Sequence, residues 1–117
     1  MSLQNTSIGK DLGMGNAYTK TQSKRASELL RDAIDIIGER GLAYGEPSIN
    51  HLRIAQLWSV YFERAIEPHD VAMAMVLVKI ARLVESHSHG DSIVDAAAYL
   101  AVYGELVSKD WSDLDTF

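Results

Sequence analysis

Val71-Ala72-Met73-Ala74-Met75-Val76-Leu77-Val78 is the stretch that decides the fold. It follows Pro68, His69 and Asp70, and Lys79 closes it. Proline suits the first turn of a helix, where its missing N–H costs nothing. Asp70 in the same turn is favoured by the helix dipole. The pattern predicts a helix over 68–85. A helix apolar on every side cannot turn one stripe to a core and the rest to water, so it is expected to be buried all round. One chain of 117 residues with four short helices can hardly cover it. A partner subunit is therefore expected, as a homodimer or homotetramer joined through this helix.

Upstream, Ile49, Leu52, Ala55, Trp58 and Phe62 recur at helical spacing, and the Ser48 hydroxyl can cap them. This predicts a helix from Ser48 to about residue 64, with Ile54, Leu57 and Tyr61 widening its apolar face. Further upstream, Leu29, Leu30, Ala33, Ile34 and Ile37 form one stripe of a helix over about 22–39. Gly38 and Gly41 are its candidate C-caps. Downstream, residues 86–90 break the pattern, and His89 or Asp91 can cap a last helix carrying Ile93, Val94, Ala97, Ala98, Leu100, Ala101 and Val102 and ending near residue 107. No run alternates apolar and polar residues cleanly, and neither Asn-Gly nor Asp-Gly occurs to turn a hairpin. The reading is all-α: a four-helix, bundle-like single domain over 22–117. Residues 1–21 lack any apolar stripe and are expected to form a flexible arm. The acidic end, with Trp111 and Phe117, is expected to dock as a tail.

Eleven Lys and Arg stand against sixteen Asp and Glu, a net charge of −5, which argues against a nucleic-acid polymer as partner. Residues 1–25 carry +3 and the remainder −8. The absence of cysteine excludes disulfides, zinc thiolate sites and thiol nucleophiles. No stretch is long enough to span a membrane and no signal peptide opens the chain, so a soluble, cytoplasmic protein is expected.

Gly13 to Thr21 has glycines ahead of a Lys-Thr pair, yet Met14 and Thr19 stand where a phosphate loop needs glycine, and no strand precedes it. His87-Ser88-His89-Gly90-Asp91 has the His-x-His-x-Asp spacing of some metal sites, but those stand on loops after strands. A solvated loop with His89 capping the next helix is the plainer account. Asp91 and Asp95 are one turn apart on the last helix, and Asp95 lies among small apolar residues, where a carboxylate needs a partner. Hard oxygen ligands at that spacing suit Mg²⁺. Lys79 and Arg82 interrupt the apolar helix at i, i+3 and are expected to point the same way. They can pair with Asp95 and Asp91 as structural salt bridges, face a bound phosphate, or snorkel to solvent. Glu46 and Asn50 are an oxygen-bearing pair at the start of the second helix. Trp58 and Tyr99 read first as packing residues, with base stacking as the alternative.

The string Tyr44-Gly45-Glu46-Pro47, Asn50, Ile54-Ala55, Leu57-Trp58, then Pro68 to Ala72, Met75, Lys79 to Arg82, His89, Asp91-Ser92, Val94-Asp95 and Tyr99 resembles a family of small phage and prophage proteins. The likeness covers about residues 40–107 and implies a phage-derived helical domain. Asp91 and Asp95 with Tyr99-Leu100 are also loosely similar to the last acidic helix of the MazG-type all-α nucleotide pyrophosphohydrolases. That family holds Mg²⁺ with acidic residues on adjacent helices. Its Glu-x-x-Glu pair is absent, and Asp-x-x-x-Asp replaces Glu-x-x-Asp. The resemblance implies that Asp91, Asp95 and Glu46 hold Mg²⁺, that Lys79 and Arg82 neutralise phosphate charge in catalysis, and that Asn50, His89 and Tyr99 bind a nucleotide substrate. The competing reading is a non-catalytic phage interaction or regulatory protein whose charges form buried salt bridges. Lys79 closing on Asp95 in a dry core favours the second reading; Glu46, Asn50, Asp91 and Asp95 sharing one open cavity favours the first.

Overall fold

The computed structural model describes residues 24–112. It contains four helices: α1 (Ala26–Tyr44), α2 (Pro47–Phe62), α3 (Pro68–Glu85) and α4 (Gly90–Ser108). No strand occurs among the described residues. The arm expected over 1–21 and residues 113–117 of the tail lie outside them.

The α3 and α4 helices form a hairpin and share the largest interface, with α1 lying against α4 and α2 against α3. Ala72 on α3 meets Val102 and Leu106 on α4, with Ile37, Tyr103 and Trp111 packed around them. Ala98, Val102 and Leu106 are a single buried stripe of α4. Ala72, Val76 and Lys79 are the matching stripe of α3. Ala72 and Ala98 are the small members of these stripes, and Lys79 pairs with Asp95 along the same seam. Trp111 donates its indole N–H to the Leu106 carbonyl at 3.4 Å, which closes the end of the core.

Helix α3 begins at Pro68, as expected, and the Asp70 carboxylate accepts the Glu67 N–H at 2.8 Å. Its far side is left uncovered by the single chain: Leu77, Val78, Ile80 and Val84 are exposed. Helix α1 runs five residues past its expected end. Gly38 and Gly41 lie inside it, a tolerated cost of about 1 kcal/mol each. The helix stops at Gly45, whose φ of 87° is the left-handed conformation that glycine adopts without strain. Its inner stripe is also rotated from the expected one: Ala33, Ile36 and Ile37 turn inward, while Leu30 and Ile34 face out. Glu46 rather than Ser48 stands at the N-cap position of α2, without a side-chain capping bond, because Pro47 takes the first helical position. The Ser48 hydroxyl donates instead to the Glu46 carboxylate at 2.9 Å. At the other end, the Ser59 hydroxyl accepts the Ile66 N–H at 2.9 Å, latching the turn from α2 to α3.

Candidate functional site

Asp95 is the centre of the charged structure. Its Oδ2 lies 2.9 Å from Lys79 Nζ on α3, and its Oδ1 accepts from Arg40 Nη2 on α1 at 3.1 Å. Lys79 is 8% exposed, so its ammonium would be costly without this carboxylate. The Arg40 guanidinium sits over the Tyr99 ring, 5.3 Å from its centroid, one turn along α4 from Asp95. Tyr99 in turn meets the His51 ring of α2 edge-on at 6.3 Å. His51 Nδ1 donates to the Pro47 carbonyl at 2.9 Å, leaving Nε2 as an acceptor. Nε2 is sealed from solvent and has no partner among the described residues. Burial pulls the His51 pKa below its ordinary value, against the opposing effects of the Pro47 carbonyl and the Glu105 carboxylate. One chain of polar contacts thus ties all four helices together.

Two openings flank this chain. The larger, about 860 Å³, runs between α1 and α4 and is bordered by Asp32, Asp35, Asp91, Asp95, Lys24, Arg40 and His87. The smaller, about 370 Å³, lies between α1, α2 and α4 and is bordered by Arg40, Tyr44, Asn50, His51 and Tyr99 over an apolar floor. Within the larger cleft Lys24 pairs with Asp32 at 2.7 Å, which raises the lysine pKa.

The sequence-derived site residues divide between these places. Asp91 is exposed at the first turn of α4 and borders the larger cleft with Asp95. Asn50 and Tyr99 meet in the smaller cavity. Glu46 is exposed at the start of α2 and engaged with Ser48. His89 caps α4, its Nδ1 accepting the Ser92 N–H at 3.2 Å. Lys79 and Arg82, expected on one face, part company: Lys79 enters the seam and Arg82 is exposed with no ion pair among the described residues. No group of three or more His, Asp or Glu side chains among the described residues is placed to hold a metal ion. No helix is long and apolar enough to cross a membrane among those residues.

Arg40, His51, Asp32 and Asp35 were not singled out from sequence. Arg40 had a readable signal: it stands at i+3 from Ile37, i+4 from Ile36 and i+7 from Ala33, a cation on the inner stripe of α1. Asp32 and Asp35 read as ordinary residues of a solvated face, and only the fold sets them across from Asp91.

A family profile described as "Domain of unknown function (DUF6378)" matches residues 28–107. The chain is 47% identical over 77 residues to the Gene 55 protein of Mycobacterium phage L5, covering 63% of this chain and 49% of that protein. It is 38% identical over 96 residues to the Gene 55 protein of Mycobacterium phage D29, covering 78% of this chain and 64% of that protein. The chain therefore spans about half of one relative's length and just under two thirds of the other's. No solved structure matches. Neither the family description nor the relatives' names carry an activity.

Proposed function

The chain belongs to the DUF6378 family, and we propose that it is a phage-derived protein that acts by binding and assembly rather than by catalysis. The carrying observation is the shared carboxylate of Asp95, held by Lys79 at 2.9 Å and Arg40 at 3.1 Å. A carboxylate that already serves two cations has little capacity left for a metal. Removing it leaves a buried ammonium unpaired, so its first duty is to hold α1, α3 and α4 together. The four residues that a hydrolase would gather are also spread out: Asn50 borders one cavity, Asp91 and Asp95 border the other, and Glu46 is on neither lining.

Self-association is part of this reading. Met73, Leu77, Ile80 and Val84 recur at intervals of four, three and four along α3, the seam spacing of paired helices. The last three are exposed, and so are Leu57, Val60, Tyr61 and Phe62 of α2. A second copy of the chain would cover the α3 stripe.

The competing reading is Mg²⁺-dependent cleavage of a nucleoside triphosphate. Asp32 and Asp35 on α1 border the larger cleft with Asp91 on α4, but Asp32 is paired with Lys24 and no three of the described carboxylates are placed to hold a metal ion. A screen of nucleoside triphosphates for pyrophosphate release, with Mg²⁺ or Mn²⁺ and with EDTA as control, tests between the two. Binding without catalysis predicts release no greater than the EDTA control. Divalent-dependent release that Asp91→Asn abolishes would overturn it.

A further inference from the structure

The Lys79–Asp95–Arg40 group contains two cations and one carboxylate, so it carries one excess positive charge inside a protein whose net charge is −5. Lys79 is shut in the α3–α4 seam, whereas Arg40 reaches the wall of the smaller cavity. Arg40 there is the sole formal charge in that wall, because burial keeps His51 neutral at neutral pH. A guanidinium has five N–H donors, and Asp95 engages one nitrogen, Nη2. The remaining donors match the planar fork of a second carboxylate. Asn50, Tyr44 and Tyr99 border the same space, and their side chains make no hydrogen bond among the described residues. The floor is hydrocarbon from Ile36, Ile37 and Val102.

We propose that this cavity binds a small organic carboxylate with a flat or apolar body, the carboxylate on Arg40 and the body on the Ile36–Ile37–Val102 floor. Tyr99 and Asn50 border the position that the anion takes. The volume of about 370 Å³ suits a single-ring acid; it lies near the lower end of the roughly 300 to 1,000 Å³ range of small-molecule pockets. Arg40 also borders the larger cleft, but Asp35 and Asp91 on that side repel an anion, so the smaller cavity is where a second carboxylate is tolerated. The inference does not depend on the reading of the larger cleft or on self-association.

The test is a nuclear magnetic resonance titration of the full chain with sodium benzoate, followed at the Asn50 side-chain amide and the Arg40 guanidinium. Benzamide, which has the ring without the charge, and inorganic phosphate, which has the charge without the ring, are parallel arms. The expected result is a saturable shift with benzoate in the millimolar range or tighter, and binding weaker by about tenfold or more for each control. Arg40→Gln should weaken benzoate by a similar factor. Asn50→Ala, which leaves the ion group intact, should weaken it several-fold and serves if Arg40→Gln fails to fold. The proposal is overturned if benzoate produces no saturable shift, if benzamide or phosphate binds as well as benzoate, or if the shifts map to Asp35 and Asp91 instead.

Discussion

Leu77→Glu should break a self-associated form of the protein without unfolding its subunits. Leu77 is 58% exposed on the single chain, and its neighbours on the stripe, Ile80 and Val84, are 45% and 84% exposed. Fully burying a side chain of this size contributes about 2 to 3 kcal/mol, so covering the exposed part of Leu77 contributes about 1.5 kcal/mol per copy. In a two-fold dimer the same residue counts twice, giving about 3 kcal/mol, or roughly a hundredfold in the dissociation constant. Glutamate adds the cost of desolvating two carboxylates, so the loss should exceed that figure. The intrachain core, built on the opposite side of α3 from Ala72 and Val76, is untouched. Sedimentation equilibrium across micromolar concentrations should show an associating wild type and a monomeric variant with the same helical circular dichroism. A wild type that remains monomeric up to about 100 micromolar, a concentration at which even weak interfaces are populated, would refute the reasoning. So would a variant that associates as well as the wild type.

Two further predictions concern the fold. Leu106 is 1% exposed at the centre of the core, so Leu106→Ala should lower the unfolding free energy by about 3 kcal/mol in urea titration, within the usual range for buried leucine truncation; a loss below about 1 kcal/mol would show that the site collapses around the change. Burial holds His51 below its ordinary pKa of 6.5, so the unfolded chain takes up a proton first as the pH falls. The contribution of neutral His51 is fully present above pH 6.5 and is lost as the pH drops through the lower folded value. Stability measured at descending pH should therefore fall more steeply in the wild type than in His51→Gln, and equal slopes would show that His51 does not contribute.

The helices were legible because their apolar residues recur at helical spacing and two of their starts carry Pro68 and His89 in positions that backbone chemistry favours; the start at Pro47 was missed, because the Ser48 hydroxyl was read as the cap. The pairing of Lys79 with Asp95 was readable as one of three options, since a cation on an apolar helix and a carboxylate on an alanine-rich one each need an opposite charge. What was not legible was the third member. Ending α1 near its first glycine placed Arg40 in a loop, whereas the helix tolerates Gly38 and Gly41 and delivers Arg40 to Asp95. The long-range choice is a matter of packing: the registers of α1 and α4 decide that Asp95 rather than Asp91 meets Arg40, and no local pattern encodes that register. His51 gave no signal for the same reason, because a histidine on a helix becomes a wall residue only when Tyr99 of α4 is brought against it.

The measurement that bears most directly on the account is the thermal unfolding of Asp95→Asn beside the wild type, each with and without Mg²⁺. Asp95 as the counter-ion of Lys79 and Arg40 predicts that the variant loses roughly 3 to 5 kcal/mol, because Lys79 is left buried and unpaired, and that Mg²⁺ changes neither protein. An Asp95→Asn protein as stable as the wild type or more so, with a wild type that Mg²⁺ stabilises and a variant that it does not, would contradict the account and make Asp95 a metal ligand.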